Sequence, residues 1–89
     1  MKNLGLRIVV VDKGFVFVGV TQIVGDSYIV QKAACIRRWG TTAGLGELAS
    51  KGPLPNTILD PSPTMRIEKH AVLFTIECDK NGWKKYQQA

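Results

Sequence analysis

Two arginines, a tryptophan, two threonines and three glycines fall within one short stretch: Arg37, Arg38, Trp39, Gly40, Thr41, Thr42, Gly44 and Gly46. Together they carry the chemistry needed to hold a nucleotide-type anion. A guanidinium pairs bidentately with a phosphate. An indole stacks on a base. Threonine hydroxyls and the unpaired backbone N–H groups of a helix start cradle oxygens. The same residues also describe a structural corner, with Trp39 in a core or interface, the arginines solvated and a threonine capping the helix.

Strand geometry limits the binding reading. Neighbours on a regular strand point to opposite faces, so Arg37 and Arg38 serve one pocket only if the chain turns between them. Arg37 shares a face with Trp39 and is the better pocket residue. The spacing Gly44-x-Gly46-x-x-Ala49 fits only the loosest dinucleotide fingerprint, and the βαβ unit that would give it meaning is missing. The stretch from Gly40 to Gly46 has no lysine followed by Ser or Thr, so it is not a Walker phosphate loop. Ligand-binding candidates are therefore Arg37, Arg38, Trp39, Thr41, Thr42, Gly44 and Gly46.

Other groups are weaker. His70 is the only histidine and stands near Arg66 and Lys69, a secondary candidate cluster. A lone histidine at a strand end is more often structural than catalytic. Trp83, Lys84, Lys85 and Tyr86 interleave aromatics with positive charge, which suits single-stranded nucleic acid. They equally suit a terminal segment docking its aromatics on the body with lysines outward. No carboxylate pair has a diagnostic spacing, and no serine or cysteine sits in a nucleophile context. The chain is read as a non-enzymatic binding protein that needs no cofactor. Cys35 and Cys78 are far apart, no Cys-x-x-Cys occurs, and free thiols are expected rather than zinc.

The elements that must position these residues are mostly strands. Residues 7–12 are β-branched and apolar on both sides, as in a central strand. Lys13 and Gly14 make a turn into a second strand over 15–21, where Gly19 marks a bulge or a close backbone approach. A third strand spans 27–36, with a kink near Ala33 and Ala34. Leu45, Leu48 and Ala49 have helical spacing, and Gly52 followed by Pro53 ends a short helix over 44–51. Its N-cap is Thr41, Thr42 or Gly44. Residues 57–59 form a very short strand and 64–68 another. Residues 70–78 alternate, with Val72, Phe74, Ile76 and Cys78 on one face. The fold class is mostly β: a small bent sheet or barrel of five to six strands with one short helix.

At 89 residues the chain makes one domain. We place it at 1–79, followed by a basic tail at 80–89. A core this small gains from oligomerisation, so a homo-oligomer is expected. The net charge of +5 is unevenly spread: +4 over residues 1–39, −2 over 40–79 and +3 in the tail. A positive face attracts nucleotides, nucleic acid or an acidic protein. No apolar run is long enough to span a membrane. The first residues do not read as a signal peptide, and a cytoplasmic location is expected.

Residues 36–49, with Gly52, Pro53, the run 57–61 and His70-Ala71-Val72, resemble an uncharacterised family of small bacteriophage and prophage proteins. That family carries no established activity; the phage setting implies a bacterial host cell and, by analogy of class, an anti-defence role. One class of such proteins consists of β-rich oligomers that sequester a cyclic nucleotide or cyclic ADP-ribose signal. Another blocks a host protein by direct contact. The expected functions are sequestration of a nucleotide-type anion, inhibition or assembly through a protein interface at Arg37 and Trp39, or non-specific nucleic-acid binding.

Overall fold

The computed structural model describes residues 2–40 and 44–84. The opening apolar run is longer than its β-branched heart: β1 covers Lys2–Val11. A 3-10 turn at Asp12–Gly14 leads into β2, Val16–Val24, and a tight turn then leads to β3, Ser27–Arg38. Helix α1 covers Leu45–Lys51. Then come β4 at Ile58–Pro61, β5 at Met65–Glu68, a 3-10 turn at Lys69–Ala71 and β6 at Val72–Glu77. All six strands belong to one antiparallel sheet in the order β4-β3-β2-β1-β6, with β5 also on β3. The domain is mostly β with one short helix, as its composition of short alternating runs implies.

β4 and β5 behave as one interrupted outer strand. β4 pairs the end of β3 and β5 pairs its beginning. In the break between them the Ser62 amide still donates to the Ala33 carbonyl at 2.9 Å. β6 then pairs with β1 on the far edge of the sheet. Only the turn Lys69–Ala71 joins β5 to β6, so the sheet bends until its two edges come within reach of that turn. It does not close, because β5 and β6 are not hydrogen-bonded to each other.

The bend creates apolar packing on both faces. On the first face, Leu6, Ile8, Val10, Val16, Val18 and Ile36 pack under Leu48, Ala49, Cys78 and Trp83. On the second, Val9, Val30 and Ala33 are enclosed by Val11, Met65, Ile67 and Val72. This explains why β1 is apolar at consecutive positions: it is sandwiched.

A register shift falls between Val18 and Val20 of β2 where they meet β3. There Lys32 takes a positive φ of 50° and adds one residue to β3. Gly19 faces that bulge. A Cβ on it would lie 2.5 Å from Val30 Cγ1 and 2.8 Å from the Gln31 carbonyl oxygen. The close approach read from Gly19 is thus real, and it is the bulge that bends the sheet. A second shift, between Val10 and Val11 of β1, makes Leu73 the extra residue in β6. It corrects the simple alternation of the last strand. Phe74, Ile76 and Cys78 keep one face, but Val72 joins the second core. His70 lies in the preceding turn rather than in the strand.

Helix α1 is too short to be stable alone. Its C-terminal carbonyls are satisfied from the end of the chain. Trp83 Nε1 donates to the Leu48 and Ala49 carbonyls at 3.1 and 3.0 Å. The Asp79 amide donates to the Ala49 carbonyl at 2.9 Å. Trp83 is fully buried and belongs to the first core. The exposed Lys51 and the largely covered Glu47 form an i,i+4 pair at 3.1 Å.

Candidate functional site

β3 runs two residues further than its apolar pattern, so Arg37 and Arg38 are strand residues. The extension comes from β4: Ile36 pairs with Leu59 and Arg38 with Ile58. One residue is therefore extra on β3, and the shift falls at Arg37. Strict alternation breaks at this irregularity. The separation of the two arginines onto opposite faces, expected from a regular strand, does not apply at this position.

The two guanidiniums differ in what they meet. Arg37 Nε lies 2.9 Å from Asp60 Oδ2, and its Nη2 donates to Asp60 Oδ1 at 3.4 Å. Both side chains are about half exposed or more, so the pair adds at most about 1 kcal/mol to stability. Its larger effect is on binding, because Asp60 offsets the charge that Arg37 would offer an anion. Arg38 is exposed.

Trp39 follows, 41% exposed. Its backbone is held from two sides. Thr57 Oγ1 donates to the Trp39 carbonyl, and the same oxygen accepts the Leu54 amide at 2.9 Å. Gly40 has φ +70°, and a Cβ there would collide with the Asn56 carbonyl carbon and the Thr57 nitrogen. Only glycine fits both the conformation and the contact. A large, partly exposed indole thus projects from a clamped backbone. Trp39 is neither in the core nor loosely held.

Gly44 is the N-cap of α1, with φ +84°, and Gly46 lies exposed in its first turn. Thr41 and Thr42 lie outside the described residues. The structure therefore brings together Arg37, Arg38, Trp39 and Gly40, and adds Asp60 and Thr57. Sequence reasoning missed both of these. Their signal was weak: Thr57 opens a run read as only a very short strand, Asp60 begins the proline-rich loop after it, and only the pairing of β3 with β4 gives them a role.

The secondary cluster is elsewhere. Lys69 and His70, with Asp26 and Glu68, line an open cleft of about 440 Å³. The Lys69 amide donates to the Asp26 carbonyl at 2.8 Å, tying the β5–β6 turn to the β2–β3 turn. Arg66 is exposed on β5, between Met65 and Ile67 whose side chains point into the second core. Trp83 is buried, while Lys84 is exposed. Lys85 and Tyr86 lie outside the described residues.

Both cysteines are free thiols. Burial pushes the Cys78 thiol up to about 12, against smaller downward effects of a hydrogen bond at the Ile8 backbone and the charge of Arg7. A thiol held in this way is protonated and inert at neutral pH. Among the described residues no group of three or more His, Cys, Asp or Glu is placed to hold a metal ion, and no helix is long and apolar enough to cross a membrane. Comparison with models of known protein families finds no match, and comparison with curated proteins finds none either.

Proposed function

We propose that this chain acts by binding another protein, as an inhibitor or assembly factor, through the corner made by Arg37, Arg38 and Trp39. The observation that carries this reading is the exposed Trp39 on a backbone clamped by Thr57 and Gly40. Interface hot spots are enriched in tryptophan and arginine. A side chain carried on a clamped backbone loses less freedom on binding than one on a loose loop. Arg38 and the net charge of +5 favour an acidic partner surface.

A nucleotide-type anion is the second reading. The broken alternation at Arg37 favours it, since the two arginines are no longer forced apart. The Arg37–Asp60 pair weighs against it. A counter-defence role in a phage-infected cell fits either mode and rests on the sequence resemblance alone.

Affinity capture from a bacterial host lysate, with the full chain as bait, tests the first reading. A stoichiometric partner is expected, and Trp39→Ala should weaken it by about 30-fold, the effect of a 2 kcal/mol hot spot. Capture that is indifferent to Trp39→Ala and Arg38→Glu removes this reading. Calorimetric titration with cyclic dinucleotides and cyclic ADP-ribose isomers tests the second, and an absence of heat with all of them removes it.

A further inference from the structure

We infer that Asn81 is a site of spontaneous covalent modification, where the chain rearranges to isoaspartate and thereby unseats Trp83 from the first core. The site shares no residue with the corner at residues 37–40, so either reading can fail without the other.

Three asparagines occur in the chain, Asn3, Asn56 and Asn81, and only Asn81 is followed by glycine. The Gly82 nitrogen attacks Asn81 Cγ, a succinimide ring closes, and the side-chain nitrogen departs as ammonia with the proton that Gly82 gives up. Water then opens the ring. Hydrolysis of the newly made bond returns aspartate in an unaltered chain. Hydrolysis of the original peptide bond leaves isoaspartate, in which the main chain runs through Cβ and Cγ and is one carbon longer. Water is the only co-reactant.

The turn offers these groups openly. Asn81 is exposed. Its amide donates to Asp79 Oδ1 at 2.8 Å, and the Trp83 amide donates to the Asp79 carbonyl at 3.1 Å. Among the described residues the Gly82 amide between them has no acceptor. The attacking nitrogen is therefore not held in a hydrogen bond, and glycine puts no side chain in its way.

The chain around this turn has no room to lengthen. Residues 79–83 form a strap across the C-terminal end of α1. One end is anchored by the Asp79 amide on the Ala49 carbonyl, the other by the Trp83 indole on the Leu48 and Ala49 carbonyls. Between the anchors, Gly82 lies backbone to backbone against the residues that end the helix. A Cβ on Gly82 would stand 2.7 Å from the Ser50 carbonyl oxygen and the Lys51 carbonyl carbon, and one on Gly52 would overlap the Gly82 carbonyl. An extra main-chain carbon must push Gly82 off the helix end or lift Trp83 from its fully buried place. Either change loosens a helix too short to stand alone. The aspartate product leaves the strap as it was. A reaction that needs only water thus limits the lifetime of the folded state.

Incubation of the full chain at mildly alkaline pH, followed by peptide mapping, tests this. Conversion is expected at Asn81 ahead of Asn3 and Asn56, and faster as hydroxide rises, because the Gly82 nitrogen must lose its proton. Ion exchange separates the products, since each carries one positive charge less than the starting chain. The isoaspartate fraction should have a lower urea midpoint. In a Trp39→Phe background, where Trp83 is the sole indole, its fluorescence should shift to the red. Freshly prepared Asn81→Asp adds the charge without the carbon and should match the unconverted chain in both readouts. Asn81→Ser should keep its midpoint through the same incubation. Conversion at Asn81 in urea but not in the folded chain overturns the inference, since the fold would then hold the two groups apart. So does an isoaspartate fraction whose midpoint and fluorescence equal those of Asn81→Asp.

Discussion

Trp39 and Trp83 look alike in sequence, each beside basic residues, yet the fold treats them oppositely. Trp83 is fully buried and its indole N–H bridges two helix carbonyls. Trp83→Phe keeps most of the apolar volume but leaves those carbonyls without that donor. It should lower the unfolding free energy by about 1–3 kcal/mol in urea denaturation. Trp39→Phe changes an exposed ring and should stay within about 0.5 kcal/mol of wild type in the same experiment. Equal losses at both sites would contradict these placements. Nothing local distinguished the two residues, because the partners of Trp83 are 34 and 35 positions away. The pairing of Arg37 with Asp60, 23 positions apart, was hidden for the same reason. The free state of the cysteines and the special position of Gly19 were legible, since the first needs only spacing and the second only a glycine inside an apolar strand.

Strands and helix were legible where a period ran undisturbed. Helix α1 begins one residue from its expected start and ends at the expected Lys51, because Leu45, Leu48 and Ala49 mark its buried side and Gly52 its cap. Strand ends were less legible. β1 starts at Lys2 and β3 ends at Arg38, both beyond the apolar runs, because a neighbouring strand supplies the hydrogen bonds that keep them extended. Bulges were half legible. A break in alternation flagged the one at Lys32, whereas the extra Leu73 in an unbroken apolar run left no trace. The helix itself retains a weak point. Gly46 is exposed within its first turn, and a Cβ there would touch nothing within 4 Å. Gly46→Ala should therefore stabilise the protein by about 0.5–1 kcal/mol, read as a higher urea midpoint. A lower midpoint would mean that the turn needs glycine for a reason other than helix geometry. The same variant bears on the anion reading, since alanine keeps the backbone amide and should leave any cradle at this end working.

At the scale of the whole molecule, the bent sheet carries two small cores rather than one, and Cys78 seals an end of the first. Its thiol is raised from 9.0 to about 12, chiefly by burial. The folded state thus holds a proton that the unfolded state begins to release near pH 9. The contribution of this group is complete below that pH and is lost as the pH climbs towards 12. Urea midpoints of wild type should fall more steeply between pH 9 and 11 than those of Cys78→Ala, which lacks the titrating group. Parallel profiles would show that the thiol is not shielded in the folded state. The overall class was legible from many short strands and turn signals. The topology was not, because short runs do not say that the first strand sits between the second and the last.

That placement governs how the chain can be made. β1 pairs with β2 across one tight turn, but its other neighbour is β6, and Arg7 meets Thr75 across 68 positions. As the polypeptide leaves the ribosome, the first hairpin forms early and then waits with one side of an apolar strand bare. Neither core is complete until the final strand and Trp83 emerge. Every strand through β6, and Trp83 after it, must be made before both cores are shielded from neighbours on a crowded polysome.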